Sequence, residues 1–124
     1  MKFTGYSFIV CGSSKITELH LKTIVKIKNC TLEYIYAEDK IRRDYLSKKY
    51  KIPICENLRN PILKKCNVAL ITSKTSKHFN LIISLSKYIN NFIIEKPIVG
   101  SLQELKKIKK YFNYKKIKFL ELSQ

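Results

Sequence analysis

The sequence predicts an α/β fold of three layers, with helices on both faces of a parallel sheet of about six strands. Short, near-continuous apolar runs rich in β-branched and aromatic residues recur along the 124 residues, as in strands covered on both faces. Longer segments with apolar residues at helical spacing lie between these runs. Such alternation is typical of parallel strands joined by right-handed crossovers.

The predicted elements follow one another in the order βαβαβαβαβαβ. The strands are Tyr6–Cys11, Leu32–Tyr36, Ile52–Cys55, Val68–Thr72, Phe92–Ile94 and Ile117–Leu122. The helical stripes run over 16–27, 41–46, 79–85 and 102–112, and a short helix is predicted over 58–65. In the first helix the stripe comprises Ile16, Leu19, Thr23, Ile24 and Ile27. The order is that of a Rossmann-type fold, whose ligands bind at the carboxyl ends of the strands.

Length and composition predict one domain over residues 1–124, since 45% of the residues are hydrophobic. No run approaches the ~20 apolar residues that span a membrane, and the first ten residues make a better strand than signal peptide. The four cysteines lie far apart without a C-x-x-C pair, which indicates buried free thiols and no metal site. We therefore expect a cytoplasmic protein that does not bind a membrane.

A net charge of +16 raises the possibility of nucleic-acid binding. The chain has three arginines, Arg42, Arg43 and Arg59. So small a number weakens this possibility, because arginine is the residue best suited to bidentate phosphate and guanine contacts. The lysines are spread along the whole chain, which favours a solvated surface. We expect no specific nucleic-acid partner, although polyanions should bind non-specifically at low salt.

A turn with one glycine follows the first strand, from Gly12 to Thr17. In a G-x-G-x-x-G turn the three glycines serve the tight turn, the approach of pyrophosphate and helix–strand packing. Here Ser14 and Thr17 replace the second and third glycines, which would push phosphates back and crowd the helix. The hydroxyls of Ser13 and Ser14 and the charge of Lys15 could compensate. The turn alone leaves open whether it binds phosphate.

A carboxylate stands at the end of the second strand, where Glu38 and Asp39 follow Ala37. An acidic residue about 20 positions beyond the glycine turn normally accepts the ribose hydroxyls of a dinucleotide. Glu38 would also repel a 2′-phosphate, so NAD is predicted in preference to NADP. The alternative is that both acidic residues cap the next helix.

Four further patterns occur in order along the chain. They are Gly12 through Ile16 to His20, then Tyr50-Lys51-Ile52-Pro53, then Thr72-Ser73-Lys74-Thr75-Ser76-Lys77-His78, and finally Glu95-Lys96-Pro97 followed by Ser101-Leu102. With these patterns the chain resembles the N-terminal domain of the glucose-fructose oxidoreductase / inositol dehydrogenase (Gfo/Idh/MocA) family. The resemblance implies an NAD-dependent oxidoreductase acting on sugars or cyclitols.

The resemblance also implies roles for individual residues. Lys96 would be the catalytic residue, whose ammonium can hydrogen-bond a substrate hydroxyl or carbonyl and assist proton transfer. Pro97 is expected to follow a cis bond. For His20 and His78, packing or capping is the alternative to contact with a ligand. The implied cofactor-binding residues are Gly12, Ser13, Ser14, Lys15, Ile16, Glu38, Ser73, Thr75, His78, Glu95 and Pro97.

The chain departs from the family pattern in the two missing glycines and in Lys74, which stands where the family has proline. The family's second domain, an open antiparallel sheet with a catalytic histidine and a carboxylate, is expected to be absent. A lone chain would then be incomplete or inactive. The alternative function is a non-catalytic interaction scaffold, or a remnant that has lost cofactor binding. Either a missing catalytic half or self-association would cover its apolar last strand.

Overall fold

A computed structural model describes residues 5–59, 61–115 and 117–122. These residues form a parallel sheet of five strands in the order β2-β1-β3-β4-β5. The strands are β1 (Tyr6–Cys11), β2 (Cys30–Tyr36), β3 (Val68–Ile71), β4 (Asn91–Glu95) and β5 (Lys118–Leu122). The helices are α1 (Lys15–Ile24), α2 (Lys40–Tyr50), α3 (Thr75–Leu85) and α4 (Leu102–Lys115), with a short 3-10 helix at Pro61–Lys65. The predicted Rossmann-type architecture is confirmed.

The predicted strand Ile52–Cys55 is present only as a bridge between Ile54 and Ile35 of β2. Ile35 donates its N–H to Pro53 O (3.0 Å), and Cys55 donates its N–H to Ile35 O (2.9 Å). Pro53 has no N–H to donate, which limits the ladder that so short a segment can form. The segment lies beyond β2, where a sixth parallel strand would stand.

The strand order reverses at β1, which pairs with β2 on one side and with β3 on the other. Cys11 is in register with Tyr36 of β2 and with Ile71 of β3. The residues that follow these three strands therefore meet at one edge of the sheet. This is the topological switch point, where open α/β sheets bind their ligands.

Alternate residues of β1 face two separate cores, as the period of a strand requires. Phe8 and Val10 pack with α1 and α2 residues on one face, and Ile9 and Cys11 pack with α3 and α4 residues on the other. Each large apolar side chain buried in this way contributes about 1.5–3 kcal/mol. The two cores fix both helical layers against the sheet and hold the switch point in place.

The apolar stripe predicted for the first helix was partly wrong. Leu19 and Ile27 are 58% and 48% exposed, whereas Thr17, Leu21 and Ile24 are buried. The helix begins at Lys15, so the row at i, i+4 and i+7 from Thr17 faces the sheet. The sequence pattern gave too much weight to apolar residues that the helix presents to solvent.

The cysteines form no disulfide, and Cys11, Cys55 and Cys66 are buried as free thiols. Burial raises the pKa of the Cys66 thiol to about 12 and that of Cys11 further still. Both stay protonated at neutral pH and behave as small apolar side chains. Within the described ranges, none of the helices is long and apolar enough to cross a membrane.

Glu18 joins α1 to α2. Its carboxylate accepts hydrogen bonds from Lys49 Nζ (2.8 Å) and Tyr50 OH (2.9 Å). The bond from Lys49, followed by that from Tyr50, lowers the pKa of Glu18 below its usual value. A carboxyl whose pKa is lowered by folding stabilises the protein above its unfolded pKa, and this contribution disappears as pH falls through the folded pKa.

We therefore expect Glu18→Gln to lower the melting temperature at neutral pH. The difference from the unchanged protein should shrink as pH falls below about 4. Thermal melts of both proteins across the acid range measure this, with Glu33→Gln of β2 as a control for the loss of one negative charge. Equal effects of the two substitutions at every pH would show that the Glu18 hydrogen bonds contribute nothing.

Candidate functional site

A cavity of about 740 Å³ opens at the carboxyl ends of β1, β2 and β3. Its volume lies within the range of small-molecule sites. Residues that follow the three strand ends, the starts of α1 and α2, the length of α3 and one loop residue, Leu58, form its wall. The lining comprises Gly12, Ser13, Ser14, Lys15, Tyr36, Ala37, Glu38, Asp39, Arg42, Leu58, Thr72, Ser73, Lys74, Lys77, Asn80, Leu81 and Ser84.

Gly12 makes the turn out of β1 with φ +139°, a conformation that residues with a Cβ rarely adopt. Its N–H donates to Tyr36 O (2.9 Å). A Cβ at Gly12 would overlap Thr72 Oγ1 and lie 3.0 Å from Thr72 C and 3.1 Å from Ser73 N. The position therefore requires glycine for both its conformation and its space, as the sequence indicated for the first glycine of the turn.

Ser14 and Thr17 form a reciprocal cap at the start of α1. Thr17 donates its N–H to Ser14 Oγ (3.3 Å), and Ser14 donates its N–H to Thr17 Oγ1 (3.0 Å). A helix leaves its first four N–H groups without intrahelical acceptors, and the cap satisfies two of them. The other two belong to Lys15 and Ile16. These remaining N–H groups could bind an anion at this helix terminus.

Thr17 fits between helix and sheet without the crowding that the sequence suggested. Its side chain is fully buried, and Thr17 Oγ1 lies 2.7 Å from Thr72 Oγ1 at the end of β3. Thr72 Oγ1 also donates to Cys11 O (3.3 Å). The hydroxyl pair satisfies both buried oxygens, so Thr17 replaces the third glycine together with a partner on the neighbouring strand.

Glu38 and Asp39, at the end of β2, have separate contacts. Asp39 caps α2, accepting the N–H of Arg42 at 3.1 Å. Glu38 is 69% exposed and forms an ion pair with Lys77 of α3, with Nζ and Oε1 3.1 Å apart. Of the two acidic residues, Glu38 is thus the one whose carboxylate is not used to cap a helix.

His78 lies beneath the site and is almost completely buried. Its Nε2 is 2.8 Å from Ser73 O, and its Nδ1 is 2.8 Å from Ile98 O and 3.1 Å from Pro97 O. Carbonyl oxygens only accept hydrogen bonds, so the ring nitrogen that carries the proton donates to the carbonyl facing it, and the tautomer decides which one this is. His78 ties the turn after β3 to the turn after β4, which is the packing role given as the alternative to ligand contact.

The Glu95-Lys96-Pro97 segment ends β4, and its Lys96–Pro97 bond is cis, as predicted. Glu95 is buried, and its Oε1 lies 3.0 Å from Nε2 of His20 on α1. Lys96 is half-exposed, with Nζ 3.8 Å from Glu121 Oε1 of β5. The segment is thus held to α1 on one side and to β5 on the other.

Six of the predicted site residues line the cavity: Gly12, Ser13, Ser14, Lys15, Glu38 and Ser73. The others lie outside its lining, in the starts of α1 and α3, at the end of β4 and in the turn that follows β4: Ile16, Thr75, His78, Glu95, Lys96 and Pro97. Contact of either group with a cofactor stays a prediction. Sequence reasoning did not assign Thr72, Arg42 or Lys77 to the site. The usable signal was position, because Thr72 directly follows β3, and Arg42 and Lys77 lie in the first turns of the helices that follow β2 and β3.

The reversal of strand order, the glycine turn and the cavity above them define a Rossmann domain of the dinucleotide-binding class. A family model described as "Oxidoreductase family, NAD-binding Rossmann fold" matches residues 6–121. The chain belongs to this family, GFO_IDH_MocA, and corresponds to its N-terminal NAD-binding domain. The resemblance inferred from the sequence is confirmed.

Solved structures show the same fold at low sequence identity. Scyllo-inositol dehydrogenase from Lactobacillus casei, with bound NAD(H) and scyllo-inositol, matches with a TM-score of 0.83 at 16% identity, over 94% of this chain and 36% of that one. An NAD-binding protein from Listeria innocua gives 0.81 at 19% identity, over 94% and 34%. A dehydrogenase from Clostridium difficile gives 0.82 at 16% identity, over 94% and 38%. The chain thus spans about a third of their length. No curated protein matches the chain by sequence.

Proposed function

We propose that the chain binds a nicotinamide dinucleotide in the cavity at the switch point, as one domain formed by residues 1–124. The observation that carries the proposal is the turn at Gly12, whose positive φ and missing Cβ bring backbone to the cavity wall beside the start of α1. The N–H groups of Lys15 and Ile16 and the ammonium of Lys15 would hold the pyrophosphate there. Hydroxyls of Ser13 and Ser14 would add donors to the same anion.

The adenosine ribose would lie at the end of β2. Glu38 lines the cavity there and would accept hydrogen bonds from the ribose hydroxyls. Its negative charge opposes a 2′-phosphate, which is the basis for proposing NAD in preference to NADP.

The nicotinamide end would extend toward Ser73, Thr75 and the turn that carries Lys96. When bound, the dinucleotide supplies a hydride acceptor or donor. We assign Lys96 the catalytic role: its exposed ammonium would hydrogen-bond a substrate hydroxyl or carbonyl and assist proton transfer. Glu95 and Pro97 would fix the direction of Lys96, since Glu95 is buried against His20.

The substrate class that we propose is a sugar or a cyclitol. The Lactobacillus casei structure was solved with scyllo-inositol, which supports polyol chemistry for this fold. Turnover would need groups that enclose the substrate and exclude water, and we propose that these lie outside residues 1–124. Alone, residues 1–124 would bind cofactor without catalysing turnover.

A second function, an interaction scaffold, is favoured by one observation. On β5, at the end of the described sheet, Phe119 and Leu120 are 43% and 59% exposed. A partner polypeptide or a second copy of the chain would bury these side chains. Analytical ultracentrifugation at rising concentration tests self-association, and a monomer at all concentrations would contradict it.

The location that we propose is the cytoplasm. The support is that all four cysteines are free thiols, as expected in a reducing compartment. Cell fractionation with an antibody against the chain tests this proposal.

Isothermal titration with NAD⁺ and NADH tests the cofactor proposal. We expect saturable binding with a Kd between roughly 10 μM and 1 mM, because the cap at Ser14 and Thr17 uses two of the four N–H groups at the helix terminus. NADP⁺ should bind more weakly than NAD⁺. An absence of heat at millimolar dinucleotide would contradict the proposal and identify the chain as a remnant without cofactor binding.

A further inference from the structure

An ion pair lies across the proposed ribose end of the cavity. Glu38 belongs to the turn between β2 and α2, whereas Lys77 belongs to the first turn of α3. Their Oε1 and Nζ atoms are 3.1 Å apart, and both residues line the cavity. The carboxylate on which the preference for NAD depends therefore has a cation in contact with it.

The surrounding charges add to this effect. The cavity lining contains the cations Lys15, Arg42, Lys74 and Lys77 against the two acidic residues Glu38 and Asp39. Asp39 already accepts the N–H of Arg42 as a helix cap. Glu38 is thus the acidic residue of the lining that does not cap a helix, and its carboxylate lies within a lining of net positive charge.

Arg42 offers unused donor capacity at the same end. Its Nε donates to Ser13 O (2.9 Å), and its guanidinium stacks over the ring of Tyr45 at 5.1 Å. Its buried Nη2 has no hydrogen-bond partner within the described part of the chain, and its ion-pair distance to Glu18 Oε1 is 3.7 Å. An arginine placed after the second strand can accommodate a 2′-phosphate.

We propose that Lys77 determines cofactor specificity by neutralising Glu38, so that the chain accepts NADP as well as NAD with only a modest preference for NAD. This inference rests on the dinucleotide binding proposed above. A carboxylate rejects a 2′-phosphate because like charges repel at short range. The ammonium of Lys77 offsets that repulsion while leaving the carboxylate oxygens able to accept ribose hydroxyls.

The test compares the ratio of the Kd for NADP⁺ to the Kd for NAD⁺ in four proteins at one fixed ionic strength. In the unchanged chain this ratio should be below about tenfold. Lys77→Gln should raise it about fivefold, because Glu38 then opposes the 2′-phosphate alone. Glu38→Gln should lower it below the value of the unchanged chain.

Lys87→Gln is the matched control, because this substitution removes the same charge from the protein. Lys87 is an exposed lysine beyond the other end of α3. It should leave the ratio unchanged even if the general loss of positive charge weakens both affinities. Raising the salt concentration should reduce the difference between Lys77→Gln and Lys87→Gln.

Two failures can be told apart. If both dinucleotides bind and Lys77→Gln gives the same ratio as Lys87→Gln, the role of Lys77 is overturned while the proposed function stands. If the unchanged chain binds neither dinucleotide, the proposed function is overturned, and the role of Lys77 falls with it.

Discussion

Replacing Gly12 with alanine should lower the melting temperature by roughly 8–16 °C and abolish dinucleotide binding. A Cβ at φ +139° is strained, and it would overlap Thr72 Oγ1 and press on backbone atoms of Thr72 and Ser73. Strain and overlap together should cost about 2–4 kcal/mol, at about 4 °C for each kcal/mol in a domain of this size. Differential scanning calorimetry measures the loss, and titration with NAD⁺ measures binding.

Gly100→Ala provides the comparison for Gly12→Ala. A Cβ at Gly100 would have its nearest neighbours at 3.9 Å, which is ordinary contact. We expect this substitution to change the melting temperature by no more than about 2 °C. If Gly12→Ala melted like Gly100→Ala and still bound NAD⁺, the tight turn at the cavity wall would be disproved.

His78→Phe should destabilise the protein by about 1–3 kcal/mol, an effect close to that of Gly12→Ala. The phenyl ring has a similar shape but cannot supply the N–H that the imidazole donates to a carbonyl of the turn after β3 or of the turn after β4. Buried acceptors left without donors account for the cost. Binding of NAD⁺ should also weaken, because Ser73 lines the cavity. Urea unfolding measures the free energy of unfolding.

His78→Gln and His20→Phe separate hydrogen bonding from packing. Glutamine can donate from its amide, so His78→Gln should recover part of the stability lost in His78→Phe. His20 is partly exposed, and its ring contacts Glu95, so His20→Phe should cost less. Equal stability of the His78→Phe and unchanged proteins would rule out the link between the two turns.

Periodicity and turn chemistry predicted the fold well, because these signals are local. The five strands came from apolar runs, and the glycine turn came from a single residue between a strand and a helix. The segment Ile52–Cys55 was harder, since a short run next to Pro53 looks like a strand whether it forms a ladder or a single bridge. The buried face of the first helix was partly missed because the predicted stripe included the exposed Leu19 and left out the buried Leu21.

The sequence predicted those site residues that can be recognised one at a time from their position in a motif. Gly12 and Glu38 could be found from their distance along the chain, and both line the cavity. Thr17–Thr72, Glu38–Lys77 and His20–Glu95 each join residues that are 39 or more positions apart, so neither partner alone indicates the contact. The sequence indicated that replacing the third glycine with Thr17 would crowd the helix. In the structure the Thr17 hydroxyl instead hydrogen-bonds to that of Thr72.

Mapping dinucleotide binding by the amide chemical shifts of the labelled protein tests the central claim most directly. A protein with net charge +16 attracts any polyphosphate, so heat of binding alone does not locate a site. We predict saturable shift changes confined to Gly12–Ile16, Glu38, Ser73 and their neighbours, at the same residues when salt is raised. Changes spread over the exposed lysines of α4 and lost at moderate salt would contradict a dinucleotide site in the cavity.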